Sequence, residues 1–167
     1  MGIQIQLAEA ESFSATVLIE SRADELLIKY LGARDWPPAT QAEERAAASG
    51  FTLLATDADT EEAVGFAQIL EFDECAHLEQ ISVLPEVGRR GYGGLLIEAA
   101  VDEARERGHT FMTLRTFADV PWNAPFYAKH QFAVSAPASV LQLAMIDTEE
   151  ALGLMAYGRR IQMSRAL

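Results

Sequence analysis

Four glycines and two arginines fall within seven residues, Gly88-Arg89-Arg90-Gly91-Tyr92-Gly93-Gly94. They follow the apolar run ending Val83-Leu84-Pro85 and precede an amphipathic stretch that opens at Leu95. Residues of these types at this spacing suit an anion. A helix N-terminus leaves backbone N–H groups without partners and carries a partial positive charge. Glycine lets the backbone take positive φ and approach a ligand with no Cβ in the way. The expected guest is a phosphate or pyrophosphate. Two phosphate motifs fail on this turn. A Walker A loop needs Lys-Ser/Thr after its last glycine, where Gly94-Leu95 follows Gly93. A dinucleotide fingerprint needs a third glycine where Leu96 stands. Taken alone, the same residues also suit a glycine-rich surface turn with solvated arginines. Just upstream, strand alternation puts His77, Glu79, Ile81 and Val83 on one face.

The elements that must position these residues follow from periodicity. Ile3, Ile5 and Leu7 alternate with glutamines, which predicts a half-buried strand. Residues 9–31 place apolar side chains at helical spacing, as one bent helix or two short ones, with Gly32 as the stop. Trp36-Pro37-Pro38 breaks the pattern, and Thr40 with Glu43 predicts a capping box for an Ala-rich helix ending near Gly50. Phe51 to Ala55 and Ala63 to Phe72 read as a hairpin joined at Asp57-Ala58-Asp59-Thr60. A turn at Asp73-Glu74 leads into a strand from Ala76 to Val83. Leu96, Ile97, Ala100, Val101 and Ala104 form the apolar stripe of a helix closed by Gly108. Thr110 to Phe117 is the next strand, and a crossover helix before it makes its pairing with 76–83 parallel. A short helix at 121–130, a strand at 132–135, a helix at 138–151 and a closing strand at 160–164 complete the chain.

Composition narrows the class. A chain of 167 residues, 50% of them hydrophobic, suits a single domain over 1–167 with a sizeable core. A net charge of -12 repels nucleic-acid phosphates and favours a cationic substrate. One cysteine, Cys75, excludes an intrachain disulfide and fits a reducing cytoplasm. No apolar run has membrane-spanning length, the N-terminus does not form a signal h-region, and no metal-ligand spacing stands out.

The strand ending Val-Leu-Pro followed by Arg-Arg-Gly-x-Gly-Gly resembles the acyl-CoA pyrophosphate loop of the GNAT superfamily of N-acetyltransferases. The family pattern is Gln/Arg-x-x-Gly-x-Gly/Ala. Gly91 and Gly93 match it, while Gly88 stands where Gln or Arg is usual. A second block, Asp119 to Phe132, is similar to the family's Asn…Phe-Tyr-x-x-x-Gly-Phe segment, with Gln131 in place of the glycine. The resemblance covers about 75–132. It implies a mixed α/β fold, a central mixed sheet of about six to seven strands flanked by helices on both faces.

The resemblance also implies acetyl-CoA as co-substrate and direct transfer of an acetyl group to an amine. Backbone groups of Ile81, Ser82 and Val83 would meet the pantetheine arm, and Gly88, Arg89, Arg90, Gly91, Tyr92, Gly93 and Gly94 the pyrophosphate. Asn123 would cap its helix or touch the pantetheine, capping being the simpler role, and Phe126 lies beside it. Tyr127 matches the family position that faces the thioester sulfur, and its phenol would act as the acid that gives the departing thiolate a proton or a hydrogen bond. Glu79 or His77 would be the base, Glu79 preferred because a carboxylate also attracts a cationic amine; a structural ion pair suits Glu79 equally well. Tyr30, Trp36 and Phe117 are candidates to line the acceptor pocket, with Trp122 beside them, and a homodimer is compatible with the family. A CoA-binding sensor and a phosphate-binding NTPase are the rival classes, and a peptide or protein amine is the alternative acceptor to a cationic small molecule.

Overall fold

The computed structural model describes residues 2–73 and 75–167. Its alternating and continuous apolar stretches become seven strands of one sheet, in the order β1-β2-β3-β4-β5-β7-β6. β1 is Ile3–Leu7, β2 Gly50–Asp57, β3 Ala63–Glu71 and β4 Ala76–Val83. These four are joined by three antiparallel pairings, β1 with β2, β2 with β3 and β3 with β4. β5 (Phe111–Phe117) lies parallel to β4, as the intervening helix requires. β7 (Arg160–Ala166) returns antiparallel to β5, with the short β6 (Ala133–Ser135) at its outer edge. This is the mixed sheet that the resemblance implies.

Helices cover both faces. α3 (Tyr92–Glu106) buries Leu96, Ile97, Ala100, Val101 and Ala104 against Leu53, Ala67, Ile69, Leu78, Met112 and Leu114. These are the residues of the predicted stripe. The opposite face receives α1 (Phe13–Leu31), whose Ile19 packs with Leu54 and Phe66. α2 (Ala42–Ala47) lies beside it and delivers Arg45 into the interior. A buried guanidinium costs several kcal/mol unless it is paired. Arg45 is paired throughout: it donates to Gln68, Thr16 and Glu20 and lies 4.5 Å from the Phe66 ring centroid. α4 (Ala124–Lys129) and α5 (Val140–Ala151) complete the set.

Local stops and turns follow their chemistry. Gly32 takes φ 63° and donates back to the carbonyls of the last turn of α1. Asp57 Oδ1 accepts from the N–H groups of Asp59 and Thr60, closing the β2–β3 hairpin. The capping box expected at Thr40 and Glu43 does not form. The N-cap of α2 is Gln41, and no side chain caps it. The shift by one residue moves Glu43 off the N3 position that such a box requires. A capping box does form at the start of α5, between Ser139 and Gln142. The expected Asp73-Glu74 turn includes Glu74, which lies outside the described residues.

One irregularity decides the geometry of the site. Gln68 pairs with Gln80 and Ile69 with Leu78, so Glu79 is an extra residue in β4. Such a bulge resets the alternation of the strand. Ala76 and Leu78 belong to the core under α3, and Ile81 and Val83 pack against that same core despite their odd separation from Leu78. The expectation that Ile81 and Val83 share a face with His77 and Glu79 is therefore corrected. His77 and Glu79 face the α1 side, where their Nε2 and Oε2 atoms are 3.5 Å apart.

Candidate functional site

β4 and β5 run together only from Ala76 to Leu78 against Met112 to Leu114. Beyond that point they part, and a cleft of about 1260 Å³ opens between them. It lies beyond the carboxyl ends of two parallel strands, where open α/β sheets place ligands. The Leu84 N–H donates to Val64 O at 2.8 Å. Directly bonded pairs alternate along an antiparallel ladder, so Ser82 exchanges its backbone bonds with Phe66 on β3. Ile81 and Val83 turn theirs to the side that β5 has left. Ser82 instead lines the cleft and accepts a bond from Gln80 Nε2 at its hydroxyl.

The glycine loop forms the next wall. Gly91 is the N-cap of α3, at φ 81°, and no side chain caps the helix there. The free N–H groups of its first turn and the helix dipole suit an anion. Gly93 is not in the left-handed region; its missing Cβ matters because one would meet Phe126 Cζ at 3.3 Å. Gly88 donates its N–H to Pro85 O, so that group is engaged within the loop. Arg89, in the left-handed conformation at φ 64°, lines the cleft. Arg90 is exposed and outside the lining, which separates the two arginines. The Tyr92 side chain is buried in the core under α3, so only its edge reaches the cleft.

On the other wall stand the titratable groups. His77 is buried and its Nδ1 lies 2.8 Å from Thr113 Oγ1. Burial, helped by the nearby Arg115 charge, pushes its pKa down to about 4, so it is neutral at neutral pH. Glu79 keeps 48% of its side-chain surface accessible, but that surface opens into the cleft. The enclosing walls and then the Glu149 carboxylate hold its pKa above the ordinary range. Tyr127, on α4, lines the cleft with no hydrogen-bond partner for its hydroxyl among the described residues. Burial raises its pKa to about 12, so it stays protonated.

The remaining expectations divide. Trp36, Phe117, Trp122, Asn123 and Phe126 all line the cleft. Tyr30 does not; it is exposed and packs edge-on against Trp122 at 4.9 Å. Asn123 begins α4 without a side-chain cap. The capping role is thereby removed, and its side chain is left toward the cleft. Sequence reasoning missed Asp24, Arg115, Glu149 and Arg160, which lie in the same lining. Arg115 Nε and Arg160 Nη2 donate to one atom, Glu149 Oε1, at 2.9 and 2.7 Å. Burial alone would raise Glu149, but the two guanidinium groups outweigh it and hold its pKa low. These residues come from β5, α5 and β7, and no local spacing links them.

Residues 17–132 match the model of the acetyltransferase (GNAT) family. Solved structures of similar fold include the PaiA N-acetyltransferase of Thermoplasma acidophilum in complex with coenzyme A. That match has 16% identity, full coverage of both chains and a TM-score of 0.70. A GNAT-family acetyltransferase of Elizabethkingia anophelis with acetyl-CoA bound matches at 16% identity and a TM-score of 0.63, over 99% of each chain. The N-acetylglutamate synthase of Neisseria gonorrhoeae, complexed with coenzyme A and N-acetyl-glutamate, matches at 14% identity and a TM-score of 0.71. All of this chain is covered there, but it spans only 35% of that enzyme. At such identities the likeness establishes the fold.

Proposed function

We propose that this chain, which belongs to the GNAT acetyltransferase family, uses the β4–β5 cleft to move an acetyl group from acetyl-CoA directly to a cationic small-molecule amine. One observation carries the reading. The parted strands, the uncapped N-terminus of α3, Glu79 and the Tyr127 hydroxyl all border the same cleft. The residues fit the co-substrate. Arg89 and the first turn of α3 would hold the pyrophosphate, and the outward backbone groups of Ile81 and Val83 the pantetheine arm. Asn123 and Phe126 would border that arm.

Acetyl-CoA supplies an acetyl thioester, an acyl group ready for attack by a neutral amine. The protein's part is to neutralise the amine and to stabilise the departing sulfur. An alkylammonium resembles lysine, with a pKa of about 10.4. Handing its proton to His77, at about 4, is uphill by roughly 8–9 kcal/mol. Glu79 has its pKa raised instead, so its mismatch with the amine is smaller, and its charge also draws the cation in. Glu79 is therefore the base, acting directly or through water, and His77 lies behind it, bonded to Thr113. Tyr127, at about 12, would lose its proton outright to a thiolate of pKa about 8.5 only at a cost of roughly 5 kcal/mol. It serves as a hydrogen-bond donor to the sulfur, while the net proton comes from the amine.

The test is thiol release from acetyl-CoA over a chemically diverse amine panel. Turnover with one or more cationic amines is expected. Tight CoA binding with no turnover on any amine would favour a sensor over an enzyme.

A further inference from the structure

We propose that His130 is a positioning residue for the reaction: bonded to Glu98 and Arg165, it fixes α4 against the first turns of α3 and so holds the Tyr127 hydroxyl in place. This rests on the acetyl-transfer reading of the cleft and adds to it the side chain that aims its hydrogen-bond donor.

α4 carries Phe126 and Tyr127 and opens at Asn123, and all three line the cleft. It is only six residues long, and no side chain caps its start. Helices this short are not stable on their own in water, so tertiary contacts must set its orientation. His130 stands at its C-cap. Its Nδ1 lies 2.9 Å from Oε1 of Glu98, on α3. Burial acts to raise the pKa of Glu98, but the bonds from Arg165 and His130 outweigh it and hold it low. The carboxylate therefore accepts and the imidazole donates. Arg165, buried on β7, donates to both Glu98 oxygens at 3.1 and 3.2 Å, and to the His130 carbonyl at 3.0 Å. A buried guanidinium left unpaired is costly, so this junction of α3, α4 and β7 is a fixed point.

The imidazole also packs on the helix to which it is bonded. Gly94 lies one turn before Glu98 on α3. A Cβ at Gly94 would stand 3.0 Å from His130 Cε1 and 3.1 Å from its Nε2. Phe126, one turn before His130, meets Gly93 in the same way, at 3.3 Å, and its ring centroid is 5.0 Å from that of His130. Two adjacent glycines of α3 thus receive two side chains from one face of α4. That pairing fixes the roll of α4 as well as its distance from α3. Tyr127 follows Phe126 directly, with ring centroids 5.3 Å apart, and its carbonyl accepts the His130 N–H at 3.0 Å. No hydrogen bond holds the Tyr127 hydroxyl itself among the described residues. Its place in the cleft is therefore set by where α4 lies.

The experiment is a double-mutant cycle of His130→Ala with Tyr127→Phe, with His130→Asn as the conservative variant. Asparagine puts an N–H donor near the place of Nδ1 without the ring. His130→Phe keeps a ring beside Gly94 without the donor, and it enters the same cycle in case His130→Ala unfolds. Thermal unfolding checks each fold, calorimetry gives acetyl-CoA affinity, and thiol release at saturating acetyl-CoA gives kcat. His130→Ala should lower kcat by roughly 10–10²-fold while acetyl-CoA affinity changes less than about twofold. In the Tyr127→Phe background it should cost almost nothing, because the hydroxyl it places is already gone. His130→Asn should recover most of kcat. An equal loss in both backgrounds, an unchanged kcat, or a loss confined to acetyl-CoA affinity would overturn the proposal. Absence of thiol release from wild type with every amine would instead defeat the acetyl-transfer reading. The placement is then read from the fluorine resonance of Tyr127 in fluorotyrosine-labelled protein, assigned by its loss in Tyr127→Phe. It should move in His130→Ala and return in His130→Asn, and a resonance that stays put would overturn the proposal.

Discussion

In the proposed reaction Tyr127 and Glu79 do opposite jobs because burial acts on both in the same direction. It holds the phenol protonated, at about 12, and makes the carboxylate a better base than it would be in water. The Tyr127 hydroxyl has no protein partner among the described residues, so Tyr127→Phe leaves no group unsatisfied. We expect a roughly 10²–10³-fold loss of kcat with little change in melting temperature or acetyl-CoA affinity. A fall in melting temperature with near-normal turnover would make the tyrosine structural. Glu79 acts as a base only when ionised, and its raised pKa moves the loss of that form to higher pH as the solution is acidified. The wild-type kcat/KM profile should accordingly fall on its acid side through a pKa above the ordinary carboxylate range. Glu79→Gln should cost most near neutral pH and least in alkali, where the amine deprotonates unaided. An equal loss at every pH would count against the base role. The types of these residues were legible in the sequence, and so was the face Glu79 shares with His77, but the turning of Ile81 and Val83 to the other face was not. Alternation across β4 fails at Glu79, and a bulge made of ordinary L-residues leaves no local signature.

The glycine loop belongs to the scale of the element. Its two family glycines are needed for different reasons, and the structure separates them. Gly91 takes φ 81° with nothing within 4 Å of an added Cβ, whereas Gly93 has ordinary φ but Phe126 Cζ at 3.3 Å. Gly91→Ala should strain the turn by about 1 kcal/mol and weaken binding modestly. Gly93→Val should abolish CoA binding in calorimetry while the protein remains folded. Unchanged CoA affinity in folded Gly93→Val would remove the start of α3 from the site. Most element bounds could be read from the sequence, because periods of two and 3.6 reflect burial directly. The capping box was harder. Thr40-x-x-Glu43 and Ser139-x-x-Gln142 look equally good as strings, but only the second starts its helix in register. A cap depends on where the preceding chain leaves its last extended residue, and here that is Gln41, with ψ 153°.

At the scale of the whole molecule, the cleft exists because one sheet is parallel at only one junction. Parallel β4 and β5 cannot be joined by a tight turn, and α3, which joins them, delivers its own N-terminus to the place where they part. The end proposed for the pyrophosphate was legible, since strand, loop and helix are contiguous in sequence. The end proposed for the acceptor was not. Asp24, Arg115, Glu149 and Arg160 meet there from α1, β5, α5 and β7, and their encounter is a property of the folded sheet alone. Cys75 lies buried just before β4. The account predicts direct transfer within the cleft, with no acylated protein on the way. The decisive measurement is mass spectrometry of both protein and amine after acetyl-CoA is mixed with an amine that is turned over. One acetylated amine for each thiol released, on a protein of unchanged mass, is the predicted result. Thiol release without an acetylated amine, or an acetyl group retained on the protein, would contradict it.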